Sequence, residues 1–234
     1  MRYLALATDY DGTLASDGQV DEETLAALER LRDSGRKLIL VTGRQLDDLC
    51  HVFPHLDLFE RVVAENGALL YRPETREEKP LGEPPPPELV KALQERGVDN
   101  LGVGRVIVAT WHPHEDTVLD VIRQLGLEYQ VIFNKDAVMV LPSGINKAFG
   151  LGAALEEMGL SPLNTVAVGD AENDHTLLSL CACGVAVANA LPMLKERADY
   201  VTKGERGAGV VELIDKLVSS DLEELDLQIR RLGG

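Results

Sequence analysis

In the stretch Asp9-Tyr10-Asp11-Gly12-Thr13, two carboxylates stand two positions apart directly behind the apolar run YLALA at residues 3–7. Side chains at i and i+2 of a strand share a side, and two carboxylates placed so repel unless a cation or a proton lies between them. Asp11-Gly12 is also a hairpin-turn signal. The residues after this turn, TLASDGQVDEETLAALERLRDSG, supply no partner strand and run into a helical pattern. Three further clusters carry chemistry-bearing types: Thr42-Gly43-Arg44, Lys147 within SGINKAFGL, and Gly169-Asp170-Ala171-Glu172-Asn173-Asp174. Taken singly, Thr42 and Asp170 suit helix N-caps. Lys147 opens a helix, where a cation opposes the dipole and gains from an anion held there. Taken together, they provide a carboxylate nucleophile, a second carboxylate to move a proton, oxygen ligands for a hard cation, and Thr and Lys donors for equatorial oxygens. These are the parts that phosphoryl transfer uses.

The elements that must position these clusters alternate. RYLALAT reads as a buried strand, and Leu25, Leu28 and Leu31 mark a helix from Asp21 to Ser34 closed by Gly35. KLILVT is a strand, QLDDLCHVF a helix, and RVVAENGALLY two strands about a turn at Asn66-Gly67. The second half repeats the scheme: helix Lys147 to Met158, strand TVAVG, helix Glu172 to Leu180, strand GVAVA, a short helix near Leu194, strand DYVT, and helix Val210 to Leu217. Such alternation predicts an α/β fold with a Rossmann-like, mostly parallel sheet and right-handed crossovers. All four clusters then fall beyond the carboxyl ends of strands, where ligands of open parallel sheets bind.

Between the halves the pattern changes. RPETREEKPLGEPPPPE reads as a charged, then proline-rich linker. Helix Glu88 to Arg96, strand RVIVATW, helix Glu115 to Leu125 and strands EYQVIF and AVMVL come next, the last two joined tightly at Asn134-Lys135. The sequence thus predicts a core domain over residues 1–83 and 143–218, a small inserted α+β cap domain over 84–142, and a C-terminal tail over 219–234 that forms a surface helix or begins a connection.

A chain of 234 residues, 45% of them hydrophobic, buries a full core. With 23 Lys and Arg against 39 Asp and Glu, the formal charge is −16, which argues against a nucleic-acid partner. An anionic small molecule would need a local cluster of donors and a metal cation to reverse the sign inside its site. The N-terminus lacks the pattern of a signal peptide, and no apolar run is long enough to span a bilayer, so a cytoplasmic protein without a membrane partner is expected. Cys50, Cys181 and Cys183 match no zinc pattern and read as small buried hydrophobes.

The motifs DYDGTL, TGR, ENGA, GINKAFGL and GDAENDHTLL, with GVAVANALPMLKERADYVT after them, resemble in order those of the haloacid dehalogenase (HAD) superfamily, in its Cof-like branch with an α+β cap inserted after the second motif. The likeness runs to about Leu217. It implies a Mg²⁺-dependent phosphatase in which Asp9 becomes an aspartyl phosphate while Asp11 protonates the leaving oxygen and then deprotonates water. It further implies metal ligation by the Asp9 carboxylate, the Asp11 backbone carbonyl and Asp170, with Asp174 as a further or water-mediated ligand. Thr42 and Lys147 would bind phosphoryl oxygens, Gly43 would let the backbone approach, Asn173 would orient the phosphate side, and Asn66 matches a residue near the site in capped relatives. Arg44 reads equally as a substrate contact, a salt bridge to the cap or a surface residue. A phosphomutase shares both aspartates, and a regulatory module binding a phosphometabolite without turnover is the reading from another class.

The cap sets the substrate, and a short cap suits a small phosphorylated molecule, a sugar phosphate or an organic acid such as phosphoglycolate. Trp111, His112 and His114 could orient it, or Trp111 could fill the cap core while the histidines cap the helix from Glu115. Lys135 and Arg105 could contact an anionic substrate by type, with nothing positional in the sequence to promote either.

Overall fold

A computed structural model describes residues 1–224 of the chain. Its larger sheet has eight strands: β1 (Ala5–Thr8), β2 (Lys37–Val41), β3 (Arg61–Ala64), β4 (Leu69–Arg72), β5 (Glu77–Pro80), β10 (Thr165–Gly169), β11 (Cys183–Ala186) and β12 (Tyr200–Val201). Their order is β12-β11-β10-β1-β2-β3-β4-β5, parallel from β12 through β3 and antiparallel at β4 and β5. From β1 the chain steps to β2 on one side and, later, to β10 on the other. That reversal opens a crevice at the carboxyl ends of these neighbouring strands.

The central strands are almost wholly buried because helices cover both faces of the sheet. Helix α1 (Glu22–Asp33) packs on α8 (Arg206–Ser220), and α5 (Lys147–Met158) packs on α6 (His175–Leu180) and on β2, β3 and β4. The Asp21 carboxylate accepts the Thr24 N–H at 2.7 Å and starts α1. Ala27, Leu28 and Leu31 point its apolar stripe into the core. The short helices α2 (Leu46–Val52) and α7 (Pro192–Lys195) follow β2 and β11.

The second sheet, β6 (Gly102–Val103), β7 (Val108–Trp111), β8 (Tyr129–Asn134) and β9 (Ala137–Pro142), is antiparallel in the order β6-β7-β9-β8. Helices α3 (Pro87–Glu95) and α4 (Glu115–Leu125) cover one of its faces through Leu89, Leu93, Val118, Val121 and Val140. Its other face meets the larger sheet through Ala68, Val106, Ile107, Met139, Leu141 and Ile145.

Several expectations change. The segment that reads as a linker contributes β5, because Glu77–Pro80 pairs along the free edge of β4. The strand expected from Arg105 starts only at Val108, since the N–H groups of Arg105, Val106 and Ile107 all go to the Glu65 carboxylate. The helix expected from Glu172 begins as a 3-10 turn over Glu172–Asp174, and α6 continues from His175. Cys50 is exposed and Cys181 half-buried, so only Cys183 is the buried hydrophobe foreseen. The tail expectation falls largely on residues outside those described.

Candidate active site

The chain leaves β1 at Thr8, so Asp9 and Asp11 lie beyond the strand, and its alternation does not hold them on one side. Gly12, at φ +84°, turns the chain sharply. Each carboxylate therefore finds its own cation. Asp9, almost wholly buried, accepts from Lys147 Nζ at 2.6 Å. Asp11 turns outward to Arg44, whose Nε and Nη2 donate to its two oxygens at 2.7 and 2.8 Å. Arg44 also donates to Asp48 at 2.5 Å and lies over the Tyr10 ring. Arg44 thus does form a salt bridge, but to Asp11 in the loop after β1 and Asp48 at the start of the Leu46–Val52 helix, and not to the second sheet. The hydrogen bonds to Asp11 raise the Arg44 guanidinium pKa above its ordinary value.

Lys147 is the first residue of α5, after an Asn146 cap whose side chain accepts the Phe149 N–H at 3.0 Å. Gly67, at φ +106°, brings the chain against this helix start: a Cβ there would fall 1.9 Å from the Asn146 carbonyl oxygen. The lysine is fully buried, with Nζ donating to Asp9 and, at 2.5 Å, to Asp174. The other oxygen of Asp174 accepts the N–H groups of Asp170 and Ala171 at 2.9 and 3.0 Å, which locks the loop after β10. Asp170 accepts from Thr13 at 3.4 Å and from Lys135, on the β8–β9 hairpin, at 2.9 Å. Three buried carboxylates thus face two ammonium groups.

Burial, then the Asp174 charge, pushes the Asp9 carboxyl well above the usual carboxylate range, against the pull of Lys147. The Asp170 carboxyl is raised by burial and moderated by Lys135. Burial works against the charge on Lys147, but Asp174 and Asp9 outweigh it and raise the ammonium's pKa. Oxygens of Asp9, Asp170 and Asp174 lie within 4.8 Å of one another. Hard, anionic and buried, this donor set fits a divalent cation that prefers oxygen.

Thr42 comes directly after β2 and is fully buried, its Oγ1 accepting the Arg44 N–H at 3.1 Å. Gly43 leaves room for Met139 of the second sheet: a Cβ there would lie 3.3 Å from its sulfur. Asn173 donates to Asn66 Oδ1 at 3.0 Å, which leaves Asn66 Nδ2 and Asn173 Oδ1 buried without partners. Unsatisfied buried amides of this kind call for a ligand or water.

The expected cap contacts sit further out. Trp111 is 55% exposed and does not fill the core of the second sheet. His112 Nδ1 lies 2.7 Å from Glu115, and His114 Nε2 lies 2.7 Å from Asp99 with no side-chain cap on α4. Arg105 is paired with Asp47 and Glu78. Sequence reasoning gives Thr13 and Met139 no role and names Lys135 only by type, as an anionic-substrate contact no better marked than Arg105. Only the hairpin's placement distinguishes Lys135 from other lysines.

The family model for haloacid dehalogenase-like hydrolases matches residues 6–110 and 106–214. The chain is 30% identical to phosphoglycolate phosphatase 2 of Saccharolobus solfataricus, over 96% of this chain and 97% of that one. It is 32% identical to a phosphoglycolate phosphatase of Natronomonas pharaonis, over 90% and 96%. Among solved structures, the sucrose-phosphatase of Synechocystis sp. PCC6803 shares the fold at a TM-score of 0.71 with 23% identity, over 92% of this chain and 98% of that one. A HAD subclass IIB sugar phosphatase does so at 0.74 with 22% identity, over 91% and 98%. No helix among the described residues is long and apolar enough to cross a membrane. Fold, motif order and this degree of likeness place the chain among the haloacid dehalogenase-like hydrolases.

Proposed function

We propose that this phosphoric monoester hydrolase cleaves a small phosphorylated metabolite, an organic acid of the phosphoglycolate kind or a sugar phosphate, with Asp9 as nucleophile and Mg²⁺ as cofactor. The observation that carries the reading is the buried Lys147 ammonium set between Asp9 and Asp174, with Asp170 beside them. A lysine so placed pulls the Asp9 carboxyl toward its ionised form against the burial that raises its pKa, and still presents positive charge to an incoming phosphoryl group. Phosphoglycolate phosphatases among the relatives support the substrate class.

In the first step an Asp9 carboxylate oxygen bonds to phosphorus as the bond to the ester oxygen breaks, and Asp11 supplies the proton that the leaving alkoxide takes. To do so Asp11, carrying a proton, must swing from Arg44, which in the resting site donates to both of its oxygens. In the second step Asp11 takes a proton from water as that water bonds to phosphorus and the bond to Asp9 breaks, releasing phosphate. Lys147, Thr42 and the unpartnered Asn66 amide hold the equatorial oxygens, and Asn173 fixes Asn66. Asp9 and Asp170, with Asp174 close by, would hold the cation, which when bound neutralises phosphoryl charge.

Release of phosphate from p-nitrophenyl phosphate tests the reading. Turnover with Mg²⁺, loss with chelator and loss in Asp9→Asn are expected. Undiminished turnover in that variant or in chelator overturns it.

A further inference from the structure

The geometry points to Lys135 as the specificity-determining residue, whose ammonium binds a carboxylate carried on the leaving group a few bonds from the phosphoryl group. This inference rests on the phosphatase reading and narrows its substrate to a compact phosphorylated carboxylic acid.

The basic groups in and around the crevice differ in how they are committed. Lys147 is shared between Asp9 and Asp174, both buried. Arg44 is bound to Asp11 and Asp48, and Arg105 to Asp47 and Glu78. Lys135 has Asp170 as its carboxylate partner, at 2.9 Å. Asp170 is also one of the three oxygen donors grouped to hold a cation. Once a divalent cation takes that carboxylate, the ammonium beside it faces like charge and needs a new anion. A substrate anchored by its phosphoryl group at Asp9 and carrying a carboxylate on the leaving side supplies one.

The local structure presents Lys135 for this. It occupies the tight turn between β8 and β9 with φ +54°, a left-handed conformation that glycine or asparagine adopts more readily. Strain of this kind gathers at functional sites. The turn reaches the loop after β10, where Lys135 N–H donates to Glu172 at 3.3 Å. The Nζ atom lies 2.9 Å from where a Cβ on Gly12 would be, so the bare glycine lets the ammonium down beside the nucleophile loop.

The sheet beside it adds polar and apolar groups on one face. Cross-strand partners share a sheet face, so Trp111, Ala137 and Asn134 lie on the same face as Ala109, Met139 and Ile132. That is the face turned toward the larger sheet, with Met139 over Gly43. Asn134 Oδ1 on this face is buried without a partner, ready to accept from a hydroxyl or a protonated group. An ammonium held so near the nucleophile reaches an anion on a leaving group of two or three carbons.

The test compares 2-phosphoglycolate with ethyl phosphate, a neutral ester of similar size, in the wild type, Lys135→Gln and Lys135→Arg. Loss of a charge-assisted contact predicts that Lys135→Gln loses roughly 10- to 100-fold in kcat/KM on 2-phosphoglycolate and less than about threefold on ethyl phosphate, with part of the loss recovered by Lys135→Arg. An equal loss on both esters, or none, overturns the inference and leaves Lys135 as the counterion of Asp170. If the wild type releases phosphate from neither ester nor from p-nitrophenyl phosphate, the phosphatase reading fails on its own. Calorimetric binding of the two esters with Mg²⁺ to Asp9→Asn and to Asp9→Asn/Lys135→Gln then decides. Tighter binding of the carboxylate ester that vanishes in the double variant supports Lys135, and equal binding in the two overturns it.

Discussion

Glu65 and Asn66 are neighbours, both fully buried, both with positive φ, and they serve opposite ends. The Glu65 carboxylate accepts the N–H groups of Arg105, Val106 and Ile107 at 2.8, 2.8 and 3.0 Å, and Gly104 leaves it room. Its charge is met by fixed donors, and the result is a clamp between the two sheets. One residue on, the Asn66 amide nitrogen has no partner, and beyond it lie the carboxylates of Asp9, Asp170 and Asp174, short of one positive charge. A buried polar group whose bonds are all made is structure. A buried group left incomplete, where its neighbours are incomplete too, is a site shaped for something that arrives.

The largest expected effect falls on the incomplete side. Asp9→Asn removes the nucleophile and should lower kcat by about 10⁴-fold or more while near-ultraviolet circular dichroism stays native. A variant that keeps turnover breaks the contrast at its centre. On the complete side, Glu65→Ala strands three donors, two of them buried, and should cost about 3 kcal/mol in urea denaturation. A loss below about 1 kcal/mol would mean that the clamp is idle.

The third test uses pH. Asp9 and Asp170 have folded pKa values raised above 3.8, by burial first. The folded, metal-free protein therefore binds protons more tightly than the unfolded chain. That contribution to stability is complete below the unfolded value of 3.8 and is lost as pH rises through the raised folded values. Mg²⁺ binds the ionised carboxylates, so the rise in Tm on adding saturating Mg²⁺ to chelated protein should be larger at about pH 8 than at about pH 5.5, by the equivalent of about 1 to 2 kcal/mol. An equal rise at both would show that the carboxylates do not carry the deficit of charge assigned to them.

The smallest effect sharpens the contrast between the two neighbours. Asn66→Ala should raise KM for a phosphate ester about five- to tenfold and cost about 1 to 2 kcal/mol, because Asn173 Nδ2 loses its acceptor, well short of the loss for Glu65→Ala. A stability loss equal to that of Glu65→Ala would place both residues in the clamp.

Much of the architecture is legible in the sequence because it is local. The period of Leu25, Leu28 and Leu31 marks α1, and the spans of α4 and α5 agree with the sequence pattern to the residue, since an amphipathic stripe and its caps lie within one stretch of chain. β5 is hidden: Glu77–Pro80 is exposed and polar and is a strand only because the edge of β4 accepts it. The start of β7 is hidden too, because the carboxylate that claims the preceding N–H groups belongs to Glu65, about forty residues away. In the crevice, residue types and motif order name the acids and Lys147, while Lys135 and Met139 have no local mark.

What the sequence alone determined is the inventory: the acids after β1 and β10, the lysine that opens α5, the alternation that builds a parallel sheet, and the order of motifs that joins the chain to its family. Only the tertiary structure decided the pairing: Lys147 on Asp9 and Asp174, Arg44 on Asp11, Lys135 on Asp170, with an amide of Asn66 left over. The physical reason is that a charge's partner is set by distance and burial. Both arise when strands and helices far apart in the chain pack together, 138 positions in the case of Lys147 and Asp9.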